Sequence, residues 1–213
     1  MRIAILGTGT LAAALGGCWT RAGHQVTVAG RSQEKARLLA ARLGGSARAT
    51  TVRGAVAEAD AVLLAVAWDG VADILRSAES ATGTLAGITL IDPTNAVDHG
   101  VGVLTTPPGG SGAQRVAELA PGAHVVKAFH LFPAEQWGDR AGGPVTVAIC
   151  GDDPDALRVT EFLVRDAGAE AAVLGGLDRA RQLEEAAGFV IGLAFEGFDP
   201  RAAVPHVPAV RQP

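Results

Sequence analysis

Residues 2–12 read RIAILGTGTLA, a short apolar run followed at once by two glycines and the first turn of a helix-forming stretch. An apolar run with no polar alternation suits a strand covered on both faces, which is the habit of parallel sheets. The turn after it has the arrangement G-x-G-x-x-A over Gly7 to Ala12. In such a turn the first glycine permits a tight reversal, the second lets backbone approach a pyrophosphate, and the small last residue lets the helix lie close on the sheet. Free N–H groups and the positive end of the helix dipole then face the phosphates. Because this turn follows the first strand and opens a helix inside a βαβ unit, it points to dinucleotide binding, with Gly7 and Gly9 at the cofactor.

Outward from that turn the same alternation continues. The strand RIAIL (2–6) is followed by the helix LAAALGGCWTRAG, the strand HQVTVAG (24–30) and the polar helix SQEKARLLAARLG. A short segment ARATT (47–51), a helix over 54–59, the strand DAVLLAVAW (60–68), the helix VADILRSAES and the strand GITLIDPTN (87–95) come next. After the glycine- and proline-rich loop LTTPPGGSG (104–112) the pattern predicts a helix AQRVAELA, a strand AHVVKAFH (123–130) and a strand PVTVAIC (144–150). The helix DPDALRVTEFLVRDAG, the strand AEAAVLG and a long helix from about Asp178 to Phe195 complete it, before a tail with prolines at 200, 205, 208 and 213 that reads as extended or mobile. The predicted fold is α/β, a Rossmann-type doubly wound parallel sheet with a small C-terminal α/β extension. The division follows: residues 1–130 form the nucleotide-binding domain and residues 131–213 a small region for substrate and dimer contacts, Pro-rich from about 199.

The second strand ends AGRSQEK, residues 29–35. In a βαβ unit of this kind that end lies beside the adenosine ribose, where an acidic residue would accept hydrogen bonds from both hydroxyls of NAD. Here Arg31, Ser32 and Lys35 stand instead, a guanidinium fork, a helix cap and an ammonium one turn further on. A 2′-phosphate would be repelled by a carboxylate and held by these groups, so the stretch reads as an NADP(H) pocket. A solvated helix start with Ser32 as a plain cap is the structural alternative.

Composition narrows the rest. A 213-residue chain with 48% apolar residues is long enough for a solid core, and its net charge of −4 comes without a basic stripe, so no nucleic-acid partner is expected. No run approaches the roughly 18–20 apolar residues of a membrane span, and no signal-peptide pattern opens the chain, so it reads as cytoplasmic and not membrane-bound. Cys18 and Cys150 each sit in an apolar stretch and read as small buried side chains. No His, Cys and Asp spacing suits zinc, so no metal site is assigned. The chain has no tyrosine, which excludes a Tyr-x-x-x-Lys dehydrogenase mechanism.

With GTGTL, GRSQEK, VAWDG (66–70) and VVKAFHLFPAEQW followed by VTVAICGDD (145–153), the sequence resembles the coenzyme F420-dependent NADP oxidoreductase family over Arg2 to about Phe195. Members of that family pass hydride between NADPH and a deazaflavin. The resemblance implies that Thr8, Gly9, Thr10 and Leu11 wrap the pyrophosphate and that Arg31 and Lys35 hold the 2′-phosphate. It further implies that Ala67 and Trp68 lie along the cofactor, and that Asn95 and Ala134 border the nicotinamide.

Hydride transfer between two flat rings asks the protein mainly to stack and orient them. His130, at a strand end beside an aromatic, is the candidate catalytic residue: it donates a hydrogen bond to a carbonyl of the acceptor ring, or it closes the strand by bonding to backbone. Phe132 is the second substrate-site candidate, and Trp137 is either a ligand wall or core. Lys127, inside an apolar strand, needs a partner and either faces the cleft or reaches a helix C-terminus. His99 and His124 are given no role. The last helix carries Leu183, Ala186, Ala187, Val190 and Phe195 nearly in register, with Gly188 and Gly192 for close contact, and it either packs on the sheet or joins a second subunit in a homodimer. The expected activity is an NADPH-dependent reductase of coenzyme F420. The other readings are an NADPH-dependent reductase of another small conjugated or carbonyl substrate, and a non-catalytic NADPH-binding redox sensor.

Overall fold

The computed structural model describes residues 1–98, 100–137 and 145–205. It forms a mostly parallel eight-stranded sheet with helices on both faces. The strands are β1 (Arg2–Leu6), β2 (Gln25–Ala29), β3 (Arg48–Ala49), β4 (Ala61–Leu64), β5 (Thr89–Asp92), β6 (His124–Lys127), β7 (Thr146–Gly151) and β8 (Glu170–Val173). Their order across the sheet is β3-β2-β1-β4-β5-β6-β7-β8. The first six run parallel, β7 pairs antiparallel with β6, and β8 runs parallel to β7. This is the doubly wound fold, whose strand order reverses between β1 and β4. The strands after residue 130 extend the same sheet.

The helices are α1 (Thr10–Arg21), α2 (Gln33–Leu43), α3 (Val52–Val56), α4 (Val71–Ser77), α5 (Gly112–Leu119), α6 (Pro154–Asp166) and α7 (Ala180–Phe195). Two apolar layers hold them to the sheet. On one face Ile3, Ile5, Val26 and Val28 meet Leu15, Trp19 and Leu39 of α1 and α2, together with Leu163 of α6. On the other, Ala4, Leu6, Val62 and Leu64 meet Ile74, Leu75 and Val116 of α4 and α5, with Leu183 of α7. Every residue of β4 and β5 is buried, as central strands covered on both faces require. Cys18 and Cys150 are both buried thiols, and burial pushes the Cys150 thiol up to about 12.

Several elements are shorter than their apolar patterns. β4 stops at Leu64 because Val66 to Gly70 turn out of the ladder into a short 3-10 turn, Trp68–Gly70. β5 stops before Pro93, which has no N–H to give. α3 begins earlier than predicted because the Thr51 side chain accepts from Gly54 N and caps the helix there. α7 is preceded by a 3-10 turn at Leu177–Arg179. In the tail, Asp199 caps a 3-10 turn over Pro200–Ala203, so that segment is not extended as its prolines suggest. His99, Pro144 and the prolines at 208 and 213 lie outside the described residues. Among the described residues no helix is long and apolar enough to cross a membrane.

α7 buries Ala180, Leu183, Glu184, Ala187 and Gly188, a stripe at the spacing of one helix face. Ala186 and Phe195 face outward, contrary to the expected register, because that stripe runs through Glu184. The close contact that Gly188 permits is with a loop: a Cβ there would lie 2.1 Å from the Gly102 carbonyl oxygen.

Candidate active site

The parallel strands deliver their carboxyl ends to one edge, and all the candidate residues meet there. At the end of β1, Gly7 has φ +140°, and a Cβ on it would stand 1.9 Å from the carbonyl oxygen of Ala65. The Gly7 N–H donates to Ala29 O at 2.8 Å and the Ala65 N–H to Leu6 O at 2.8 Å, so the turn is clamped between β2 and β4. Only glycine fits. Gly9 differs: its φ is −82°, and an added Cβ would meet nothing within 4 Å. The space over Gly9 is open to a ligand.

The helix that starts there lacks a cap. α2, α5 and α6 begin with Ser32, Ser111 and Asp153, whose side chains each accept from a first-turn N–H. Gly9 has no side chain to offer α1, and the first turn of α1 contains no acidic residue. The first backbone bond of the helix is Ala13 N–H to Gly9 O, so the N–H groups of Thr10, Leu11 and Ala12 are not used inside it. Thr8 is half-buried, Gly9 and Thr10 are exposed, and Leu11 packs partly on the core. An anion is the natural complement of this end.

β2 ends against the same turn, since a Cβ on Gly30 would lie 3.4 Å from Thr8 Cγ2. Beyond it Arg31 and Lys35 are exposed, and among the described residues neither enters an ion pair. Arg21, Arg37, Arg42, Arg165 and Arg179 share this, whereas Arg2, Arg48, Arg53, Arg76, Arg115, Arg158, Arg181 and Arg201 are each paired with a carboxylate. Ser32 accepts from Lys35 N at 3.3 Å and fixes the start of α2. Glu34 is exposed.

On the other side of the reversal lie the ends of β4, β5 and β6. Ala67 is exposed and Trp68 half-buried; the Trp68 indole rests on the start of α5, where a Cβ on Gly112 would lie 3.2 Å from Cζ3. Asn95, after β5, donates from Nδ2 to the His130 carbonyl oxygen at 2.7 Å. β6 ends in a left-handed residue, Phe129, at φ +60°. A bulky side chain in that region is strained, and here it is held by edge-to-face contacts with Trp19 at 6.0 Å and Trp137 at 5.2 Å. The kink turns the chain toward Asn95. Phe132 is half-buried against Trp137, with ring centroids 6.0 Å apart, so Trp137 belongs to the core and Phe132 lies at its rim. Ala134 opens a 3-10 turn, Ala134–Gln136, after Pro133.

His130 is only 7% exposed. Burial first, and the Lys127 charge second, push its pKa down to about 3, against a hydrogen bond to the Leu183 backbone that works the other way. It is a neutral imidazole at ordinary pH. Its Nδ1 is buried without a partner.

Beneath His130 lies a group that sequence reasoning missed. Lys127 is fully buried, and its ammonium donates to Asp92 at 3.0 Å, to Glu184 at 2.8 Å and to the Thr94 carbonyl. Burial works against the charged amine, but the two carboxylates outweigh it and hold its pKa above the ordinary lysine value. Glu184 also accepts from Gly112 N at 2.8 Å and Ala113 N at 3.0 Å, capping α5 from another helix. Asp92 accepts from Thr94 N and Oγ1. Lys127 therefore neither faces the cleft nor reaches a helix C-terminus; it ties β5, β6, α5 and α7 together under the site.

Residues 2–96 match the family model described as NADP oxidoreductase, coenzyme F420-dependent. A solved structure of a candidate F420-dependent NADP reductase from Arthrobacter sp. FB24 superposes with a TM-score of 0.78 at 26% identity, over 93% of this chain and 96% of that one. A hypothetical protein from Sinorhizobium meliloti is 31% identical, with a TM-score of 0.71 over 83% of this chain and 86% of its own. The metalloreductase STEAP3 of Rattus norvegicus is 28% identical over 186 residues, which is 86% of this chain and 36% of that protein. The chain thus spans about a third of the length of that curated relative.

Proposed function

Since the chain belongs to the coenzyme F420-dependent NADP oxidoreductase family, we propose that it passes hydride between NADP(H) and the deazaflavin coenzyme F420. One observation carries the cofactor half of this reading. The uncapped N-terminus of α1 and the unpaired cations Arg31 and Lys35 follow the ends of adjacent strands, and this supports a pyrophosphate at the first and a 2′-phosphate at the second. The residues fit the group, because the space over Gly9 admits it.

In this reading Gly7, Thr8, Gly9, Thr10 and Leu11 present backbone N–H groups to the pyrophosphate. Arg31, Ser32 and Lys35 receive the 2′-phosphate. Ala67, Trp68, Asn95 and Ala134 flank the nicotinamide half, which crosses the strand reversal toward β5 and β6. NADP(H), when bound, supplies or receives the hydride at its nicotinamide ring. His130 and Phe132 border the flat acceptor, and the buried Lys127 group keeps the β6 end rigid beneath them. The chain's contribution is orientation and exclusion of water rather than proton transfer, in keeping with a neutral, buried His130. Phe189, Phe195 and Phe198 are more than half exposed on and just after α7, which supports a homodimer through that helix.

The direct test offers the purified protein NADPH with F420, and in parallel with flavins and small carbonyl compounds, without oxygen. The expected result is loss of NADPH that matches bleaching of the deazaflavin one for one. If F420 is ignored while a small conjugated or carbonyl compound is reduced, the acceptor assignment falls and the reductase of a small substrate takes its place.

A further inference from the structure

The sheet has two edges, and the sequence protects only one of them. An edge strand exposes unpaired N–H and C=O groups that invite another strand, and proteins ordinarily blunt it with brevity, charge, proline, a bulge or a covering element. β3 is blunted: it has two residues, one of them Arg48, whose side chain holds Thr27 Oγ1 and Glu58. β8 is not. Among the described residues it pairs on one side only, with β7, in an unbroken register from Thr146 opposite Glu170 to Ile149 opposite Val173. After Glu170 come Ala171, Ala172 and Val173, with Leu174 continuing the ladder, and none of these is charged or a proline. Val173 and Leu174 are exposed. The direction of the backbone groups follows from the ladder. Glu170 N–H donates to Val145 O and Leu174 N–H to Ile149 O, each at 2.9 Å, so Glu170, Ala172 and Leu174 turn to β7 and the N–H and C=O groups of Ala171 and Val173 turn outward.

We propose that β8 is a pairing edge for a second copy of this chain, the two β8 strands running antiparallel about a twofold axis at Ala172. This contact is separate from the one proposed for α7. The strand is complementary to itself in that register. Ala171 stands opposite Val173 of the second copy, and Val173 opposite Ala171 of the second copy, so every outward N–H of these residues meets an outward carbonyl and a small side chain faces a branched one. On the axis Ala172 meets Ala172 of the second copy in a non-hydrogen-bonded pair, the kind that brings side chains closest, and alanine is small enough to admit it. Charge fits as well. Glu170 falls opposite Leu174 of the second copy, and the two Glu170 residues lie roughly 13 Å apart along the strands at about 3.3 Å per residue, beyond the Debye length of about 10 Å at 0.1 M salt. Paired in parallel and in register, the same strands would put Glu170 beside Glu170. The match is between the strand and itself, which favours a second copy over an unrelated extended segment as the occupant.

Sedimentation equilibrium on the full chain tests this with two variants at one exposed position. Val173→Pro removes an outward N–H and leaves the bonds to β7 in place, and Val173→Lys puts a charge on the edge. The wild type should have about twice the mass of either variant under the same conditions, with the circular dichroism of all three alike. The halving is expected whether or not α7 makes a contact of its own, so the two contacts fail separately. Hydrogen exchange of the wild type gives a second reading that needs no variant. The amides of Ala171 and Val173 should exchange about tenfold or more slowly in the concentrated protein than after dilution to the lower mass, while Ala172, whose N–H turns to β7, should not change. Equal masses for the wild type and both variants, or free exchange at Ala171 and Val173 in the concentrated protein, would overturn the proposal.

Discussion

Lys127→Met should cost the fold about 3–5 kcal/mol, the usual effect of removing one partner from a buried ionic group. Methionine keeps most of the volume, so the loss is electrostatic. Asp92 and Glu184, both fully buried, would keep their backbone partners but lose the cation between them. Urea unfolding of the two proteins gives the difference directly. A second variant separates charge from packing. With Asp92→Asn and Glu184→Gln added to Lys127→Met, the asparagine oxygen still accepts from Thr94 and the glutamine oxygen from one of Gly112 and Ala113, and part of the lost stability should return. A loss below about 1 kcal/mol for the single variant, or no recovery in the triple one, would mean that the three groups do not act as a charged unit.

The two glycines of the first turn should part company. Gly9→Val places a side chain in space that holds no protein atom, at a φ of −82° that valine adopts, so the fold should survive. The same side chain stands where a pyrophosphate must touch backbone, and affinity for NADPH should fall by about a hundredfold or more, roughly 2.7 kcal/mol. Gly7→Val should instead damage the fold, because its Cβ would collide with the Ala65 carbonyl at a φ of +140°. Circular dichroism and a fluorescence titration on both variants decide the matter. A folded Gly9→Val protein that binds NADPH like the wild type would reduce the turn to a structural one.

How much of this was legible in the sequence depended on whether the signal was local. The Gly7–Ala12 turn and the Ser32 cap were readable because each depends on residues within one turn of the chain. Strand ends were read too long for a non-local reason. The apolar pattern runs on to Trp68, but β4 ends at Leu64 because the next residues serve the Gly7 turn and the start of α4. Phe129 gives no warning of its positive φ, where its ring packs edge-to-face on Trp137, eight residues on, and on Trp19, 110 residues earlier in the chain. Lys127 announced that it needed a partner, yet Glu184 lies 57 positions away, next to an equally acidic Glu185 that is exposed and pairs with Arg181. Helix phase was the usable signal. Ala180, Leu183, Glu184, Ala187 and Gly188 form one stripe, and an acid on an apolar stripe answers a lysine on an apolar strand.

The central claim, a dinucleotide held with its 2′-phosphate at Arg31, is tested most directly by titrating NADP+ and NAD+ side by side into the wild type and Arg31→Ala. Arg31 is exposed and outside every ion pair among the described residues, so its loss should leave the fold intact. The account predicts that NADP+ binding weakens by roughly 1.5–3 kcal/mol, about ten- to a hundredfold, while NAD+ binding hardly changes. Equal losses for both dinucleotides, or no loss for either, would contradict it.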